Sequence, residues 1–192
     1  MKTILTIIIS VLTLSLQAQN NKTKELIKSI EGQYQLDERG EVAFTYFIEM
    51  DSIPKETLYN ASLLVLRDVY DGIGELNIND ATSQLLVASG EWKKVYEAFA
   101  LTTESVDAKH QTRINTVDGK VTVTIALQKM VFSETGKYGK TEEFSMNEIY
   151  PMNPSGKKKN VIGRAFYNSY SKSMQLLVAI EKGLKQSPLL PN

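Results

Sequence analysis

The chain has 192 residues, with 22 lysines and arginines balanced by 22 aspartates and glutamates, one histidine and no cysteine. At 42% hydrophobic and 23% charged it is too apolar for a disordered chain, and at this length one domain is the default, burying roughly 70% of its unfolded surface. The neutral balance argues against a dedicated nucleic-acid binder, the missing cysteines remove disulfides, Fe–S clusters and thiolate chemistry, and a lone histidine removes multi-histidine metal sites and the usual triads.

Met1-Lys2-Thr3 places a positive charge ahead of the apolar run Ile4 to Leu16, and Gln17-Ala18-Gln19 follows. The run has thirteen residues, short of the about 20 that a helix needs to span a bilayer. A charged start, an apolar middle and a small residue at the exit describe a secretory signal peptide cut between Ala18 and Gln19. The alternative is a buried first helix or strand, but the run lacks amphipathic spacing. No cysteine stands at the cleavage point for lipid attachment, so the expected product is a soluble periplasmic or extracellular protein with no transmembrane segment.

Residues 19–40 form a polar leader, read either as a short helix or as a loosely held segment. From Val42 the pattern alternates, with Val42, Phe44, Tyr46, Ile48 and Met50 predicted to face the core of a strand. Ser52 stands where it could cap a helix that tolerates Pro54 in its first turn. Leu58, Ala61, Val65 and Val69 repeat at helical spacing up to about Tyr70, before Asp71-Gly72. Leu76–Asn79 and Gln84–Glu91 flank a polar turn and predict a hairpin.

The stretch Lys93 to Lys109 has no clean period. Thr112–Val117 and Lys120–Phe132 flank Asp118-Gly119, a strong hairpin signal because both turn positions favour positive φ. Phe144–Tyr150 is predicted as the last strand. A second helix runs from Val161 to about Gln186, with Phe166, Tyr170, Leu177 and Leu184 on one stripe. The expected organisation is a signal peptide (1–18), the leader (19–40), a single α+β domain (41–187) and a short tail (188–192), with two helices covering one face of an antiparallel sheet.

Three stretches carry a family resemblance. Ser52-Ile53-Pro54-Lys55-Glu56-Thr57-Leu58-Tyr59-Asn60-Ala61 resembles the first-helix signature of an uncharacterised secreted bacterial family, a domain of unknown function with a TATA-binding-protein-like fold. Asn77-Ile78-Asn79-Asp80 with Leu85–Gly90 is similar to its first hairpin, and Val117 through Ile125 to its central one. The resemblance covers roughly 41–186 and departs over Glu91 to Gln111, which looks like a longer connection. It implies a curved antiparallel sheet with two packed helices, and it brings no activity, cofactor or ligand. The fold's name does not license DNA binding.

Candidate sites are sparse. His110 lies between Lys109 and Gln111 and reads as a surface-loop histidine. Adjacent Glu142 and Glu143 would point to opposite faces of a strand and could not share a proton, and Glu148 offers only an unsupported partner. Trp92, Lys93, Lys94 and Tyr96 form the most suggestive aromatic and basic cluster for a ligand or partner, against the plainer reading that the aromatic closes the core. Lys157, Lys158 and Lys159 follow Ser155-Gly156 without the spacing of a phosphate loop; they read as a solvated connection with mild attraction to anionic surfaces. Asp51-Ser52-Ile53 resembles a short acceptor motif for bacterial periplasmic O-glycosylation at Ser52, while Asn60-Ala61-Ser62 is discounted on a helix. No catalytic, metal or cofactor residue is assigned. The expected function is an exported non-enzymatic module binding an unknown protein or envelope polymer and not nucleic acid; the alternative is a carboxylate-based hydrolase of envelope or dietary polymers.

Overall fold

A computed structural model of the chain describes residues 21–99, 102–136, 139–146 and 159–190. The apolar start and its Ala18–Gln19 cleavage point lie outside the described residues. The order is α1 (21–29), β1 (Gln35–Leu36), β2 (Val42–Glu49), α2 (Lys55–Tyr70), β3 (Gly74–Asp80), β4 (Leu85–Phe99), β5 (Thr103–Val117), β6 (Lys120–Glu134), β7 (Thr141–Ser145) and α3 (Lys159–Lys185).

All strand pairs are antiparallel, in the order β1-β2-β6-β5-β4-β3, and β7 also pairs with β6. β2 occupies Lys120–Leu127 of β6 and β7 occupies Lys129–Ser133, so two strands lie end to end along one side of β6. β4, β5 and β6 each have 15 residues, far beyond the about 5–6 of an ordinary strand, and the register shifts at Trp92/Tyr96 and Lys109/His110 let them bend. α2 and α3 pack against each other on one face of the sheet. The core lies between: Leu58 and Leu66 from α2, Phe166 and Ile180 from α3, and Ile114, Ile125 and Leu127 from the sheet are fully buried. No helix among the described residues is long and apolar enough to cross a membrane.

Several expectations need correction. Ser52 is not the cap of α2: Pro54 is, in an extended conformation, with no side-chain cap bond. The Pro54 carbonyl accepts from Thr57 and Leu58 N–H at 3.0 Å, and Asp118 Oδ1 reaches across to accept from Lys55 N–H at 2.9 Å. Tyr46 has core parity but lies 44% exposed, because it sits at the margin of the sheet, whereas Ala43, assigned to the outer face, is fully buried. The stretch 91–111 is no connection; its described residues continue β4 and β5. At the Asp118-Gly119 turn only Gly119 has positive φ, 71°, so the doubly left-handed turn does not form. The last strand ends at Ser145, and residues 147–150 lie outside the described ones.

Candidate binding surface

β2 has two sides. Its inner side pairs with β6 along its whole length, whereas β1 covers only Val42 and Ala43 on the outer side. Met50 donates its N–H to Gly119 O at 2.8 Å, and antiparallel alternation therefore turns the even-numbered residues of β2 toward β6. Thr45, Phe47 and Glu49 then direct their backbone N–H and C=O groups outward, with no strand to receive them among the described residues. Two aromatics stand on this edge, Tyr46 at 44% and Phe47 at 55% exposure. Lys120 Nζ lies 4.2 Å above the Phe47 ring, and the Lys120–Glu49 ion pair, 3.8 Å, anchors the far end. Where β1 stops, a hollow of about 330 Å³ opens between Gln33, Tyr34 and Gln35 on one wall and Ala43, Thr45 and Phe47 on the other. An unpaired edge, flanking aromatics and a recess make a surface suited to an extended chain.

The cluster expected around Trp92 is divided by its fold. Trp92 is 8% exposed and stacks on His110, ring centroids 3.7 Å apart and planes 13° from parallel. Lys93 turns away to Glu91 at 2.6 Å and Asp107 at 3.1 Å, and these carboxylates hold its ammonium above the usual lysine range. Lys94 takes a left-handed conformation, φ 51°, at the bulge, donates its backbone N–H to Asp107 and pairs with Glu97 at 2.6 Å. Tyr96 is half-buried against the core. Trp92 therefore faces inward while both lysines are engaged by carboxylates outside.

His110 is a correction of the surface-loop reading: it lies fully buried in the middle of β5. Gly90 pairs opposite it, and a Cβ there would meet His110 Cε1 at 2.9 Å and Tyr70 Cε1 at 3.0 Å, so the missing side chain makes room for the ring. Tyr70 completes the cluster, donating its hydroxyl to Thr112 Oγ1 at 2.5 Å, and burial pushes its phenol pKa up. Among the described residues neither His110 nitrogen makes a well-formed hydrogen bond. Burial lowers His110 to about 4, with the nearby Ala108 backbone opposing the shift, and the ring is neutral at neutral pH. The signal was period two: Val106, Ala108, His110, Thr112, Ile114 and Thr116 all face the core.

Glu143 sits between Lys109 at 3.4 Å and Lys129 at 3.3 Å, and both hold its carboxyl below the usual range. Glu148, Lys157 and Lys158 lie outside the described residues, and Lys159 opens α3. No group of three or more metal-ligating side chains occurs among the described residues. On the sheet face away from the helices, Arg113 ties Asp37 at 3.3 Å and the Gln111 side chain at 2.9 Å, locking the β1–β2 turn onto the strands.

Comparison with solved structures shows which fold this is. A TBP-like protein from Parabacteroides distasonis superposes with a TM-score of 0.59 at 12% identity, covering 79% of this chain and 97% of its own. This chain has the TBP-like fold. A DUF4468 family protein from Bacteroides ovatus is also similar, with a TM-score of 0.55 at 16% identity, over 78% of this chain and 91% of its own. No family model and no curated protein matches the chain. At these identities the likeness of the TBP-like domain to its neighbours concerns fold, and it agrees with the α+β sheet and two covering helices expected from the sequence.

Proposed function

We propose that this TBP-like domain is an exported, non-enzymatic binding module that takes an extended polypeptide segment on the outer edge of β2. The observation that carries the reading is that edge: Thr45, Phe47 and Glu49 offer outward backbone groups beside two exposed aromatics and a recess. A partner strand gains affinity from main-chain hydrogen bonds and selectivity from the pockets that receive alternate side chains. Export is supported by the charged start, the apolar run and the Ala18 exit. Carboxylate catalysis gains no support from Glu143, an exposed side chain engaged in ion pairs by Lys109 and Lys129.

The test compares the protein purified from its own bacterium's envelope with Thr45→Pro and Thr45→Ala by native mass spectrometry. Proline removes one outward N–H and leaves the β6 ladder intact. Wild type and Thr45→Ala are expected to carry a second polypeptide, and Thr45→Pro, folded by circular dichroism, to lose it. A bare monomer for wild type, or a partner retained by Thr45→Pro, overturns the reading.

A further inference from the structure

Ser52 occupies a position that its residue type does not favour. Ile53 donates its N–H to Met50 O at 3.2 Å, closing a turn in which Ser52 is the third residue with φ 63°. Glycine adopts that conformation at no steric cost, whereas an L side chain meets the following carbonyl. Non-glycine residues that keep this conformation usually recover the cost through a local hydrogen bond, as asparagine and aspartate do. Ser52 does not, since its hydroxyl makes no hydrogen bond among the described residues and α2 is capped without it. An exposed hydroxyl kept at a strained position without a structural task is a sign of a role outside folding.

The surroundings suit access from outside. The turn is braced against the β5–β6 hairpin, with Gly119 N–H donating to Ile53 O at 2.9 Å and Met50 N–H to Gly119 O at 2.8 Å. Asp51 and Ser52 therefore project as a rigid exposed tip. Beside it lies an open hollow of about 630 Å³ whose walls include Glu49, Asp51, Pro54 and Asp118. Its carboxylates are acceptors for the hydroxyls of a sugar. The tip also carries the Asp51-Ser52-Ile53 acceptor pattern.

We propose that Ser52 is the attachment point of an O-linked glycan, an inference that rests on the exported reading above. The donor is a glycan carried on a lipid pyrophosphate and presented by an envelope glycosyltransferase. Ser52 Oγ forms a bond to the anomeric carbon, the bond from that carbon to the pyrophosphate oxygen breaks, and the pyrophosphate leaves with the electron pair. The serine proton passes to a base of the transferase. The rigid tip offers the hydroxyl without local unfolding, and Asp51 and Ile53 flank it as the recognition pair.

The experiment takes the full-length protein from its own bacterium and reads the N-terminus, the denatured intact mass and the peptide Gly40–Lys55. The expected result is a chain starting at Gln19, with added hexose-type mass on Ser52 that disappears completely in Ser52→Ala and in Asp51→Ala. Ser52→Gly, which relaxes the turn, is also expected to lose the mass while remaining folded, separating acceptor chemistry from folding. A processed chain with an unmodified Gly40–Lys55 peptide, or added mass that survives Ser52→Ala, overturns the acceptor role and leaves export standing. A chain that retains Met1 overturns both.

Discussion

The cluster of Tyr70, Trp92 and His110 and the pair Tyr46 and Phe47 use the same kinds of side chain and end in opposite environments. In the first group His110 lies in β5 between two paired strands, Trp92 stacks on it from β4, and Tyr70 closes over it from the end of α2, so that their mutual packing removes every ring from water. The second lies on a strand with one covered side, where parity toward the core does not suffice to bury Tyr46. Burial of an aromatic in this sheet is therefore decided by what packs over the ring as much as by the face it occupies. Rings that are buried carry stability, and rings left at the edge are free to recognise something else.

The sharpest way to break that contrast is Trp92→Ala, which empties the space against His110 and should cost about 4 kcal/mol, read as a lowered midpoint in urea unfolding. A cost below about 1 kcal/mol would mean that Trp92 is not part of the core. Acidification tests the same cluster without a mutation. His110 binds a proton near 6.5 when unfolded but resists until about 4 in the fold, so its contribution is complete above 6.5, falls through that window, and is flat below it; the loss amounts to about 3 kcal/mol. Glu75 from β3, Glu91 from β4 and Lys109 from β5 line the depression beside it, and Tyr70 from α2, its phenol pushed up by burial, stays neutral through the window. His110→Phe keeps a ring against Trp92 and should remove the slope between pH 6.5 and 4, measured by chemical unfolding across pH. The smallest effect belongs to the edge: Phe47→Ala should change stability by at most about 0.5 kcal/mol, since its ring is 55% exposed, while weakening any partner bound at β2. A larger stability loss would place Phe47 in the core economy and dissolve the contrast.

Much of the architecture was legible in the sequence where local chemistry and tertiary packing agree. Leu58, Ala61 and Val65 repeat at helical spacing because α2 buries one face, and Asp118-Gly119 marked the β5–β6 turn because Gly119 alone relieves it. The outer half of β4 and β5 was opaque for a definite reason. Glu91, Lys93, Asp107 and Lys109 lie on the face away from the helices and satisfy one another or Glu143 as ion pairs, so the segment reads as polar. The bulge at Lys94 also shifts the phase of the apolar residues between Trp92 and Tyr96. His110 was missed because its type suggested solvent while its parity with Ala108 and Ile114 required the core. Of the candidate surface, the aromatics of β2 were visible, but the outward edge was not, since it depends on β1 being only two residues long.

β6 serves two strands that lie far apart in the chain, β2 ahead of it and β7 behind it. The meander β3 to β7 joins neighbours through short turns and can zip as a local unit, whereas β2 must close a loop across α2 and three strands before Glu49 meets Lys120. Loop-closure entropy therefore predicts that β2 docks after the meander. On that order the edge at Thr45 and Phe47 would form after the rest of the sheet, and a pull on the N-terminal side would detach β1 and β2 while leaving the meander paired.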